Sequence, residues 1–217
     1  MGSGYRLGIM RSSYDQLMPE TQQIIAPQAS RTLARIVTEA FSPAILVGVL
    51  LLLQPLLTSG VTWVQGITAM VFTVGLPFGL VVWLARRGSV TDHHVSVRQQ
   101  RAPIMAAAGL SLGIGAVILV LLRAPAGLFG EIGGVFIGLV LCLAANLVWK
   151  LSVHSAVAAY VALVLLAPVP MIGPALALLL ASAVGWSRVR LGDHTPGQVL
   201  AGHIAGCVTF AAALLLP

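Results

Sequence analysis

Trp186-Ser-Arg-Val-Arg-Leu-Gly-Asp-His-Thr-Pro-Gly-Gln198 is a polar stretch caught between two strongly apolar runs, 171–186 and 197–217. Two arginines, an aspartate and a histidine are each costly in hydrocarbon, so they belong at a membrane face or along a wet cavity. The flanking runs then read as membrane helices, and the stretch between them is where function is expected.

Composition points the same way. Of 217 residues, 58% are hydrophobic and 8% charged. Twelve basic and six acidic side chains cannot cover a soluble core of this size. The chain is therefore expected to be all-α, a polytopic transmembrane bundle of about six to seven spans. Its net charge of +6 reads as topology and affinity for anions, because no basic groove interleaved with aromatics suggests nucleic acid. Cys142 and Cys207 lie within apolar runs, as small hydrophobes do, and imply no disulfide.

Read in order, residues 1–35 form a polar segment, with an amphipathic surface helix around 17–33 and no apolar core of a signal peptide. The membrane domain is expected over 36–217. Its apolar runs cover 36–57, 61–84, 104–122, 130–149, 155–168, 171–186 and 197 to the end. Glu39 reads as a solvated edge carboxylate, and Glu131 as a first-turn carboxylate complementing a helix dipole. His203, inside the last run, reads as a buried histidine satisfied by neighbouring backbone, with support of the site from below as the alternative reading. Polar segments follow the second, fourth and sixth runs, so all three emerge on one face and can share a site.

Those three segments resemble, in order, the signatures of the type 2 phosphatidic-acid phosphatase family, membrane relatives of the vanadium haloperoxidases. The last signature, Ser-Arg, five residues, His, three residues, Asp, is met by Ser187, Arg188 and His194, with Gln198 in place of the aspartate. The middle one, Pro-Ser-Gly-His, keeps Ser152 and His154 but has Leu151 and Val153 for its proline and glycine. The first, Lys, six residues, Arg-Pro, is represented by Arg101 before Ala102-Pro103, with His94 at the lysine position and His93 and Arg98 as nearby cations.

The resemblance implies a haloperoxidase-like helical core and a phosphatase acting on lipid phosphates. It implies His194 as the nucleophile that forms a phosphohistidine and His154 as the acid that protonates the leaving oxygen. Arg188, Arg101 and Ser152 would hold phosphate, helped by His94 and Arg98. Ser187, Gln198 and Asp92 would be supporting residues, with Gln198 accepting a hydrogen bond from His194 and Asp92 supplying the missing carboxylate. Asp193 is expected to point elsewhere. No metal or other cofactor is called for; a metal cluster of His93, His94, His154 and His194 is the rival reading, and it lacks acidic partners. A non-catalytic lipid-phosphate binder or transporter is the alternative from another class. The expected partners are the bilayer and a lipid phosphate, with no nucleic acid and an oligomeric state that stays open. Seven spans place the N-terminal segment and the three motif segments on one face of the cell membrane. That face carries every Lys and Arg except Arg123, which makes it cytoplasmic.

Overall fold

The computed structural model describes residues 28–87 and 98–216, the side chains of 98–106 excepted. Every regular element among them is helical. Helix α1 (Gln28–Ala40) buries Ala34 and Thr38, four residues apart on one face, and leaves Leu33 and Ile36 exposed on another. It ends where Pro43 forces the residue before it out of helical geometry, Ser42 being extended at φ −65°, ψ 151°. Helix α2 (Pro43–Leu52) departs at a bend of 42°, and α3 (Gln54–Leu57) adds one turn. The run read as a single span over 36–57 is thus bent, its first residues belonging to α1. The boundary placed between residues 35 and 36 falls inside that helix, and residues 17–27 of the expected surface helix lie outside the described residues.

Thr62 and Gln65 form a reciprocal capping box that starts α4 (Trp63–Met70). Gln65 also donates from Nε2 to Leu122 O at 2.9 Å, pinning this end to the end of another helix. A π-helical turn at Val71–Gly75 joins α4 to α5 (Leu76–Arg86). Pro77 has no N–H to continue the ordinary ladder, which widens just before it. Ser111 Oγ donates to the Phe72 carbonyl within that turn, at 2.7 Å. The end of α5 is marked by Arg86 and Arg87, the latter stacked 4.1 Å over the Trp83 ring.

Helices α6 (Arg98–Leu121) and α7 (Ala126–Val148) are joined through Arg123, at a left-handed φ of 55°. By length and composition, Trp63–Arg86 and Ala126–Val148 can each cross a membrane, and the bent pair α1–α2 would make a third. Among the described residues the fold is all-helical, and its long apolar helices suit a membrane protein. Glu131 differs from its expected place. Pro125 starts α7 a turn earlier than expected, so no acidic residue lies in the first turn, and Glu131 instead accepts a hydrogen bond from Tyr160 Oη.

The last three helices, α8 (Val153–Leu166), α9 (Gly173–Arg190) and α10 (Pro196–Ala213), pack with α8 against both others. Helix α8 buries Ser155, Ala156, Ala158, Ala159, Tyr160, Val161 and Ala162, a mostly small-residue set that lets neighbours come close. A Cβ added at Gly202 or Gly206 of α10 would lie 2.4 Å from Ser152 O or 2.3 Å from Ala156 O. His203 bonds from Nε2 to Ala181 O at 3.0 Å, which is the backbone partner expected for it.

Candidate active site

The C-terminal end of α9 carries Ser187, Arg188 and Arg190, where cations complement the helix dipole. The chain leaves the helix through Gly192 at φ +80°, a left-handed conformation that glycine adopts without penalty. Asp193 N and His194 N both donate to the Arg188 carbonyl, at 3.1 and 3.3 Å. This tight return brings the side chains of 193 and 194 back beside Arg188.

The next residues start α10. Thr195 is its N-cap, Pro196 occupies the first turn, and Gln198 completes a capping box. Gln198 Oε1 accepts from Thr195 N at 3.2 Å and lies 3.1 Å from His194 Nδ1. A carbonyl oxygen only accepts, so Nδ1 carries the proton and the lone pair is on Nε2. The same Gln198 amide therefore caps a helix and fixes the histidine tautomer. Burial, the largest influence, pushes the His194 pKa down; the Gln198 hydrogen bond opposes it, Lys150 and Arg188 add to it, and Asp193 opposes it. The net direction favours a neutral imidazole, the form able to attack.

Arg188 is buried and forms an ion pair from Nη2 to Asp193 Oδ2 at 2.9 Å. Its Nε is buried with no hydrogen-bond partner among the described residues. A planar guanidinium with one donor engaged and another unused is suited to taking up an oxyanion. Lys150 Nζ donates to Asp193 O at 3.0 Å, which places a second cation beside the same loop.

Ser152 is fully buried and caps α8, its Oγ accepting from Ser155 N and from Ser155 Oγ at 2.9 Å. Its backbone N donates to Gln198 O at 3.1 Å, so the starts of α8 and α10 are joined directly. His154 is in the first turn of α8, partly buried. Ser187 is also fully buried, donating to Val184 O at 2.7 Å and bonding Thr38 Oγ1 at 2.9 Å.

The structure thus gathers Ser187, Arg188, His194 and Gln198 at one end of the bundle and ties Ser152 to them. Arg98 and Arg101 are in the first turn of α6, and their side chains are outside the described residues. His93, His94 and Asp92 also lie outside the described residues. Asp193, expected to point elsewhere than at His194, grips Arg188, because the return at Gly192 folds it back. Lys150 and Thr38 were not singled out from sequence as site residues. Lys150 had a usable signal, standing two residues before Ser152, whereas Thr38 had none.

Residues 146–217 match the family described as the PAP2 superfamily. No curated protein and no solved structure gives a match. The matched segment includes Ser152, His154, Arg188, His194 and Gln198; it leaves out Asp92, His94, Arg98 and Arg101.

Proposed function

We propose, taking as premise that this chain belongs to the type 2 phosphatidic-acid phosphatase superfamily, that it is a phosphohydrolase cleaving phosphate from a prenyl or glycerolipid carrier. The observation that carries the reading is the pairing of His194, held by Gln198 with Nε2 unprotonated, with Arg188, whose Nε has no partner among the described residues. A phosphate monoester bears about two negative charges near neutrality, which must be neutralised before a nucleophile can approach. Arg188 and Lys150 supply cations, and His94, Arg98 and Arg101 add theirs from earlier in the chain. His194 Nε2 attacks phosphorus as the bond to the lipid oxygen breaks, and protonated His154 gives that oxygen its proton. Water then attacks the phosphohistidine, His154 takes the water's proton, and phosphate leaves with His194 restored. The sequence needs no metal.

Gln198 orients His194 but cannot offset the positive charge that develops on it, so turnover is slower than with a carboxylate there. Asp92 is the candidate to supply that charge. The same substitution, with the family lysine replaced as well, favours the second reading, a lipid-phosphate binder without turnover. Phosphate release from detergent-purified protein, across a panel of prenyl and glycerolipid phosphates, decides between them. Hydrolysis abolished by His194→Ala and insensitive to EDTA is the expected result. No release from any lipid would leave the binder, and loss of activity on metal stripping would redirect the site to a metal cluster.

The proposal includes seven spans with the site on the cytoplasmic face, supported by the placement of every Lys and Arg but Arg123 on that face. Single cysteines at Ser89 and Ala126, in a background lacking Cys142 and Cys207, test this. Labelling at 89 from outside intact cells, with 126 protected, would invert the topology.

A further inference from the structure

The phosphate arginine is held from a side that no signature marks. Helix α1 lies outside the segment matching the family and outside all three motifs, yet it packs along α9. Ser30, Ala34 and Thr38, spaced four apart, form the stripe it turns inward, while Leu33 and Ile36 stay exposed. Two polar ties cross the contact. Arg190 reaches Ser30 Oγ from Nε at 3.2 Å and from Nη2 at 3.0 Å. Thr38 Oγ1 lies 2.9 Å from Ser187 Oγ, with both residues buried. Ser187 spends its own hydrogen on Val184 O, so Thr38 is the donor in that pair.

The consequence for the site is rotational. Successive helical residues are about 100° apart around the axis, so fixing Ser187 against α1 directs the next side chain, Arg188, around α9 toward the loop holding Asp193 and His194. A buried hydroxyl pair is costly to leave half-made, which gives the contact one preferred rotation rather than several.

We propose that α1 is part of the active site and that Thr38 is a positioning residue, setting the place of Arg188 by its hydrogen bond to Ser187. The inference rests on the reading of Arg188 as the phosphate-binding arginine. It predicts that phosphate affinity depends on one hydroxyl in a helix remote in sequence from the catalytic motifs.

The test uses the full chain in detergent and orthovanadate as a phosphate-shaped probe, so that binding is measured without turnover. Thr38→Val is expected to weaken orthovanadate binding about fivefold, as loss of one buried hydrogen bond does, and to lower kcat/KM in parallel. Thr38→Ser restores the hydroxyl and should return binding to within about twofold of the starting protein. Thr32→Val, on the same helix but exposed, should change nothing. Where Thr38→Val does not fold, Ser187→Ala removes the same bond from the other side and should weaken binding similarly. If both fold, the double variant should be no worse than the poorer single one. A Thr38→Val protein that folds and binds orthovanadate like the starting protein overturns the positioning role, with the phosphatase reading intact if hydrolysis persists. Binding weakened by Thr38→Val in a protein that hydrolyses no lipid phosphate removes the proposed turnover and upholds the positioning role. No orthovanadate binding by the starting protein overturns the positioning role, and the phosphatase reading falls with it only if no lipid phosphate is hydrolysed either.

Discussion

The run Trp63–Arg86 and helix α8 are both apolar, yet they are built on opposite terms. The first turns Trp63, Val64, Ile67, Leu76, Phe78 and Trp83 outward, where lipid can cover them. The second encloses seven of its fourteen residues, most of them alanine or smaller than leucine, and carries the site at its start. An outward-facing helix needs only length and hydropathy, whereas an enclosed one needs side chains that fit their neighbours. That contrast explains why the polar groups of the site can be buried. Close approach between backbones lets Ser152 N bond Gln198 O across two helices, which a looser contact would not allow.

Glycine substitutions give the sharpest way to break the comparison. Gly202 of α10 sits against Ser152 O, where an added Cβ would come within 2.4 Å of backbone that cannot move aside alone. Gly79, in α5, has nothing within 4 Å of an added Cβ. Gly202→Ala should therefore cost about 1–3 kcal/mol from overpacking, and should reduce activity further by pushing α8 and Ser152 from α10. Gly79→Ala should be neutral or stabilise by up to about 1 kcal/mol, through helix propensity. Thermal unfolding of both variants in the same detergent, together with phosphate release, measures the difference. Equal melting temperatures would mean that the enclosed and outward-facing regions are not packed differently.

The same contrast decides how much could be read without coordinates. An apolar run is legible at once, and so was the polar interruption with Ser187, Arg188 and His194, since charged residues between two such runs have few places to go. The bend at Ser42-Pro43 was in principle readable from the proline, but the surrounding hydropathy is continuous and masks it. Glu131 was misplaced by a turn because Pro125, not the glycines after it, sets the start of α7. Asp193 could not be directed from sequence, since a left-handed glycine one residue earlier reverses where the chain points. The docking of α1 was hidden for another reason. Its amphipathic pattern is what a helix lying on lipid would show, and only the partner distinguishes Thr38 on α9 from Thr38 toward water.

A smaller effect separates the site's exposed rim from its buried floor. Lys150 is exposed, and its charge acts on His194 together with that of Arg188, both lowering the histidine's pKa beyond what burial does. In the proposed mechanism attack requires neutral His194, so the acid limb of kcat/KM in the free enzyme follows that pKa and should lie below the ordinary histidine value. Lys150→Gln removes one of the two cations while keeping a side chain able to donate to Asp193 O. The His194 pKa should then rise, because the protonated ring no longer meets that repulsion, and the acid limb should move to higher pH. Activity would fall most on the acid side and least well above the limb, where His194 is neutral in both proteins. Raising the salt concentration should shrink the shift, since an exposed charge is screened within about 8–10 Å at ordinary ionic strength. Burial cannot be screened, so the starting protein's limb should stay below the ordinary value even in high salt. An acid limb that stays put on Lys150→Gln at low salt would show that Lys150 does not act on His194, and that the low pKa comes from the buried floor, including Arg188, alone.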